Sequence, residues 1–311
     1  AVHHMPSIQT KHLDAISHTF FSTLAAIRDD SYCIHYHGVG PALLSWIPRL
    51  FAPKIKVITT FHCIDAHHQK WGFFARKMLK LGEYAALTFA HKTIVVSEEL
   101  KRYCQEVYNK EAVYIPNGFS TIDAHPHDSW TEKFGLHKGR FILTVSRLIR
   151  HKGVHHLIEA YKKLKTKYPL VIVGDGYHTS DYVRQLKSMS NGEEKIRFLG
   201  FQPPEVLADL FRDAYITAQP SESEGLPITV LESMSHGKAV VGSDIAEMRE
   251  LIADEHFLFQ NRNSNDLQKK LQELLASPKK VAEEGAKRKQ FVEKRYSWDS
   301  IVPQVQELYH A

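Results

Sequence analysis

Cysteine is scarce in this chain: Cys33, Cys63 and Cys104 are the three in 311 residues. An odd count with no CxxC pair supports neither a disulfide framework nor a cysteine zinc site, and it suits a reducing cytosol. No stretch approaches the roughly 18 apolar residues that span a bilayer. The opening residues, AVHHMPSIQTKH, do not read as a signal peptide, which needs a charged start and an apolar run. A long Lys/Arg block is also missing, although the net charge is +5. Nucleic acid is therefore not expected as a partner, and a small anionic ligand or an acidic membrane surface suits the charge equally well. There is no GxSxG, no Walker loop and no HExxH, so hydrolase, ATPase and zinc-protease chemistry lack their carriers.

What is present is globular. The chain is 43% hydrophobic and 24% charged, and its length suggests two domains at roughly 100–200 residues each. Its 20 histidines are many. The pairs His3-His4, His67-His68 and His155-His156 lack regular ligand spacing, so they read as solvated surface histidines and no metal is expected.

Apolar runs of strand length alternate with helical patterns. Strands are predicted at Tyr32–His35, Lys56–Thr60, Thr93–Val96, Val113–Ile115, Phe141–Val145, Leu170–Val173, Lys195–Leu199, Ala214–Ala218 and Ala239–Gly242. Helices are predicted at Asp14–Ile27, Phe73–Phe89, Glu98–Val107, Val154–Leu164, Glu205–Phe211 and Leu226–Ser235. Such alternation implies α/β architecture, with parallel strands buried on both faces. The stretch Pro116–Arg140 has no sustained period and reads as a linker. The expected organisation is a first domain over 1–118, a second over 119–295, and a terminal helix over 296–311, capped by Ser297, that returns to the first domain. No central strand or glycine-rich turn precedes His12, where a doubly wound domain would carry both. The first domain is thus expected to be incomplete at its start, or completed by another segment.

Two segments carry chemistry. In Pro220-Ser-Glu-Ser-Glu-Gly-Leu-Pro-Ile-Thr-Val-Leu-Glu232, a strand ends, a Gly/Pro turn follows and a helix begins. Backbone N–H groups and the dipole at a helix N-terminus favour phosphate, and Pro227 fits a first helical turn. Glu224 and Glu232 can accept hydrogen bonds from sugar hydroxyls. The same residues also describe an acidic first turn that stabilises its own dipole. In Val145-Ser-Arg-Leu-Ile-Arg-His-Lys-Gly153, Arg147 and Lys152 follow a buried strand and could neutralise a diphosphate, or form a solvated basic turn.

Taken together, the E-x7-E pair, the RLxxxKG segment, Val173-Gly-Asp-Gly176 and Ile115-Pro-Asn-Gly118 resemble retaining glycosyltransferases of family 4, the two-Rossmann-domain type. Thr10-Lys-His-Leu-Asp14, His35-Tyr-His-Gly-Val-Gly-Pro41, Lys70-Trp-Gly72 and Val95-Val-Ser-Glu98 resemble a subgroup of bacterial polysaccharide rhamnosyltransferases. The resemblance implies a GT-B fold, two doubly wound domains facing across a cleft. It implies that Glu224 contacts the donor sugar, that Glu232 holds the ribose, and that Arg147 and Lys152 hold the diphosphate. Gly174, Gly225, Leu226 and Ile228 complete the nucleotide-sugar site. His62, in Thr59-Thr-Phe-His-Cys-Ile-Asp65, matches a histidine that faces the donor sugar, and is counted with Glu224, Arg147 and Lys152 as catalytic. His37 and Gly38 line the acceptor side; Asp65 assists there or serves only as a cap.

Relatives in the subgroup often carry glycine where this chain has Cys63. The family's first strand and its Gly-Gly loop have no counterpart here. No Asp-x-Asp motif occurs, so a metal-independent enzyme is expected, with positive charge from Arg147, Lys152 and the helix N-terminus. The implied partners are a nucleotide-sugar donor as substrate, without further cofactor, and a saccharide or lipid-linked acceptor. Lys70–Leu81 mixes aromatic, aliphatic and basic residues at helical spacing. It suits either a core helix or peripheral contact with an anionic membrane on the cytoplasmic face. Two other readings stay open: an inactive nucleotide-sugar-binding fragment, and a nucleotide-sugar epimerase of the same fold.

Overall fold

The computed structural model describes residues 3–8, 10, 13–64, 72–120, 130–176 and 179–310. By packing, the chain divides into two units, Ala1–Asn117 with Ile301–Ala311, and Gly118–Ser300.

The first unit carries a parallel sheet of four strands in the order β1 (Cys33–His37), β2 (Lys56–Phe61), β3 (Lys92–Val95) and β4 (Val113–Tyr114). Its helices are α1 (Asp14–Arg28), α2 (Val39–Ala42), α3 (Trp46–Phe51), α4 (Phe73–Thr88) and α5 (Glu98–Tyr108). Because side chains alternate along a strand, the sheet has two apolar faces. Ile34, Tyr36 and Val57 pack on one side with Ala42 of α2 and Ala86 of α4. Ile58, Ile94 and Ile115 pack on the other with Ile301. α5 shows the usual start and stop: Ser97 Oγ accepts from Leu100 N, and Asn109 closes the helix in the left-handed conformation.

The second unit carries six parallel strands, β5 (Ile142–Val145), β6 (Leu170–Val173), β7 (Ile196–Gly200), β8 (Ile216–Gln219), β9 (Val240–Ser243) and β10 (Leu258–Phe259), in the order β10-β9-β8-β5-β6-β7. The helices around it are α6 (Trp130–Lys133), α7 (Val154–Lys162), α8 (Ser180–Met189), α9 (Pro204–Asp213), α10 (Ile228–Ser235), α11 (Ala246–Leu251), α12 (Ser264–Leu275) and α13 (Pro278–Tyr296). β5, β6, β8 and β9 are buried along their whole length, as their continuous apolar runs predict. The last helix, α14 (Trp298–His310), contributes Ile301 to the first unit's core.

Two expectations shift, and a third, Ser297 at the start of the last helix, agrees. α10 starts at Ile228, not Leu226, and Pro227 precedes the helix instead of sitting in its first turn. A proline disfavours helical backbone at the residue before it, here Leu226. The stretch read as a linker contains α6, because Trp130 N donates to Asp209 Oδ2 at 3.0 Å and ties the segment to α9. Ser297 lies in extended backbone where α13 ends and α14 begins, and its backbone oxygen accepts from Ser300 N at 3.0 Å.

Candidate functional site

The strand order of the second unit locates a site before any side chain is considered. From β5 the chain moves outward through β6 and β7, then returns to β8 on the other side of β5 and continues to β9 and β10. The loops after β5 and β8 therefore part in opposite directions and leave a crevice at the carboxyl ends of the strands. Arg147 lies in the first of these loops, and Glu224, Gly225, Leu226 and Pro227 lie in the second.

Two glycines permit the close approach. Gly153 (φ +67°) lies so near the loop after β8 that a Cβ would stand 1.9 Å from the Pro220 carbonyl oxygen. Gly174 (φ +129°) would place a Cβ 1.8 Å from the Ser146 carbonyl oxygen. The start of α7 is thus pressed against the Glu224 loop, and the loop after β6 against the Arg147 loop. Lys152 Nζ consequently donates to both carboxylate oxygens of Glu224, at 2.6 and 2.7 Å. The pair is 14% and 7% exposed, so each charge depends on the other.

α10 opens beside this pair. Val230 N and Leu231 N donate to Pro227 O, so the N–H groups of Ile228 and Thr229 are those that a helix start leaves for an anion. Ile228 is partly exposed at that opening, while Gly225 and Leu226 are buried beneath it. Further along the helix, burial alone pushes the Glu232 carboxyl above its ordinary value. A cavity of about 490 Å³ adjoins, lined by Val145, Arg147, Gly174, Phe201, Leu207 and Thr229. Phe201, 77% exposed, presents an aromatic face there. Sequence reasoning did not single out Phe201 or Thr229. A signal existed for Phe201, which follows the carboxyl end of β7 as Gly174 follows that of β6.

In the first unit, His37 ends β1 and His62 follows β2. A hydrogen bond joins His37 Nδ1 and His62 Nε2 at 3.3 Å. Gly38 N donates to Thr60 O at 2.8 Å. His35, one alternation before His37 on the same face, stacks on it with ring centres 4.1 Å apart. Its Nδ1 meets Tyr309 Oη and its Nε2 meets Thr60 Oγ1, both at 2.7 Å. Burial first, then repulsion from His37 and His62, drives the His35 pKa down to about 3. Asp65 lies outside the described residues, as do Lys70 and Trp71. On α4, Phe73, Arg76, Lys77, Lys80, Leu81 and Tyr84 are exposed at helical spacing and form one face of aromatic, aliphatic and basic groups. No helix among the described residues is long and apolar enough to cross a membrane.

Comparison with known proteins identifies the family and the fold. The sequence profile of Glycosyl transferases group 1 matches residues 127–298, more than half the chain, and that of Glycosyltransferase Family 4 matches residues 3–122. An uncharacterised glycosyltransferase of Methanocaldococcus jannaschii is 27% identical over 282 residues, which is 89% of this chain and 74% of that protein. The N,N'-diacetylbacillosaminyl-diphospho-undecaprenol alpha-1,3-N-acetylgalactosaminyltransferase of Campylobacter jejuni is 27% identical over 203 residues, 61% of this chain and 53% of that protein. The chain thus spans between about half and three quarters of the length of these relatives. Among solved structures, Anabaena HepE in complex with UDP and glucose superposes with a TM-score of 0.83 at 20% identity, covering 92% of this chain and 80% of that one. Sucrose-phosphate synthase of Thermosynechococcus elongatus also gives 0.83 at 20% identity, covering 95% of this chain and 77% of that one. These similarities establish the GT-B fold, built from two Rossmann-like units.

Proposed function

The chain belongs to the group 1 glycosyl transferases, and we propose that it moves a sugar from a nucleoside diphosphate donor held on the second unit to a saccharide or lipid-linked acceptor held on the first. The observation that carries this reading is the convergence of Arg147, the Lys152–Glu224 pair and the start of α10 on the crevice between β5 and β8. A diphosphate there meets the guanidinium of Arg147 and the N–H groups that open α10. Such preorganised donors stabilise the charge that grows on a leaving diphosphate. Lys152 transfers its ammonium from Glu224 to the phosphates, which frees Glu224 for the hydroxyls of the sugar. The base occupies the cavity beside Phe201, and Glu232 takes the ribose hydroxyls. In this reading the diphosphate is neutralised without a divalent cation.

Transfer proceeds with retention at the anomeric carbon. The diphosphate departs, the acceptor hydroxyl attacks from the same face, and the leaving phosphate takes its proton. His62 orients the reacting groups, with His37 and Gly38 on the acceptor side. The sugar is of hexosyl or rhamnosyl type. The name of the Campylobacter relative supports a lipid-linked acceptor. The exposed α4 face, aromatic and basic together, suits peripheral contact with an anionic leaflet on the cytoplasmic side.

The test is turnover. The chain is incubated with UDP-, dTDP- and GDP-sugars, with and without an undecaprenyl-diphosphate-linked saccharide, and the products are read by NMR. Acceptor-dependent release of nucleoside diphosphate, with the anomeric configuration kept, is expected. Conversion of the donor without acceptor makes the chain an epimerase. Donor binding without any turnover makes it a binding module.

A further inference from the structure

Beside the donor site, the second unit gathers three side chains of metal-ligand type that the proposed transfer does not use. His155 and His156 lie in the first turn of α7, and Glu222 stands in the loop after β8, two residues before Glu224. His156 Nε2 is 3.2 Å from Glu222 Oε1, and His155 Nε2 is 3.7 Å from the same oxygen. One nitrogen from each imidazole and one carboxylate oxygen all lie within 4.8 Å of one another. Ligands about 2.0–2.1 Å from a tetrahedral zinc stand roughly 3.3 Å apart, so small side-chain movements suffice to close the trio on an ion.

The surroundings favour a ligand role. His155 Nδ1 lies 2.8 Å from Tyr182 Oη, and that oxygen also accepts the His155 backbone N–H at 3.4 Å. A tyrosine hydroxyl can donate or accept at Nδ1, so this contact fixes the His155 ring in either tautomer while its Nε2 faces Glu222 Oε1. With an ion on Nε2 the ring proton sits on Nδ1 and Tyr182 Oη accepts it, the outer contact that orients metal-bound histidines. Glu222 is held in place by its backbone N–H, which donates to His151 O at 2.7 Å. Its second oxygen accepts from Arg262 at 2.9 Å, which leaves Oε1 as the ligand atom.

We propose that His155, His156 and Glu222 bind a transition-metal ion of the zinc type and thereby pin the loop after β8 to the start of α7. Two imidazoles select zinc over magnesium and calcium, which prefer oxygen. Three protein ligands leave the fourth position to water. None of the ion's ligands is a residue assigned to the donor, so the inference stands if the donor reading fails. The histidine pair reads in the sequence as solvated surface, but His155 is buried, at 7% exposure, against Tyr182. The third ligand was not visible in the sequence, because Glu222 lies 66 residues from His156 and reaches it only through the pairing of β5 with β8.

The test is calorimetric titration of the full chain with ZnCl2, after removal of metal by chelator and dialysis, with MgCl2 as the control. The wild type is expected to take one equivalent of zinc and no magnesium. Glu222→Gln and His156→Gln should weaken zinc by about 100-fold, and Tyr182→Phe, which loses the outer contact, by roughly tenfold. Cobalt gives a second readout, with intense visible bands in the wild type that vanish in Glu222→Gln. Circular dichroism identifies the folded variants, and the comparison is made on those. Zinc affinity unchanged in the folded variants would place the ion on other histidines and overturn the site. Absence of binding to the wild type would overturn it equally.

Discussion

At the scale of single residues, the account rests on the Lys152–Glu224 pair. Removing one partner of a buried ion pair leaves the other uncompensated. Glu224→Ala is therefore expected to destabilise the second unit by about 3 kcal/mol, read as a lower urea midpoint. Glu224→Gln keeps an acceptor for Lys152 and should cost less. Gly174→Ala makes an independent case. Its Cβ would collide with the Ser146 carbonyl at a φ that side chains rarely adopt, so a loss of about 1–3 kcal/mol is expected from strain, again by urea unfolding. The positions of Arg147 and Glu224 in loops after strands, and of Glu232 on the helix that follows, were legible in the sequence because each lies in a short contiguous pattern. The contact of Lys152 with Glu224 was not, since 72 residues separate them. Phe201 was readable only from its place after the strand Lys195–Leu199, since a single aromatic carries no motif of its own.

Among the elements, every predicted strand has its counterpart within two residues at either end; β5 and β6, buried along their whole length, announce themselves as unbroken apolar runs. β10 escaped notice: it is two residues long and has room for no period. The start of α10 and the presence of α6 were set by interactions the pattern does not encode, Pro227 in one case and Asp209 in the other. His35 is held near a pKa of about 3 in the folded chain against an ordinary 6.5, mainly by burial. Between those values the unfolded chain binds a proton that the folded chain refuses, so stability falls as pH drops from 6.5 toward 3. Above 6.5 this histidine adds no pH dependence. Urea unfolding at pH 7 and pH 5 should show the first unit weaker at pH 5, and His35→Gln should flatten that difference.

At the scale of the whole molecule, the chain leaves the first unit after Asn117 and re-enters it at Ile301. Ile301, fully enclosed with Ile58, Ile94 and Ile115, makes that unit depend on the end of the chain. Ile301→Ala should cost about 2–5 kcal/mol. Hydrogen exchange would show the loss in β1–β4 and leave β5–β10 unchanged. The central claim is that the crevice between β5 and β8 holds a nucleoside diphosphate through Arg147, with Glu232 on its ribose. The direct measurement is calorimetric titration of UDP, dTDP and GDP in buffer without magnesium or manganese, run both with and without EDTA, with Arg147→Ala and Glu232→Ala as controls. The account predicts that one nucleotide binds without magnesium or manganese and that each substitution weakens it at least tenfold, about 1.4 kcal/mol. A folded chain that binds none of the three, or binds one equally well after both substitutions, would contradict it.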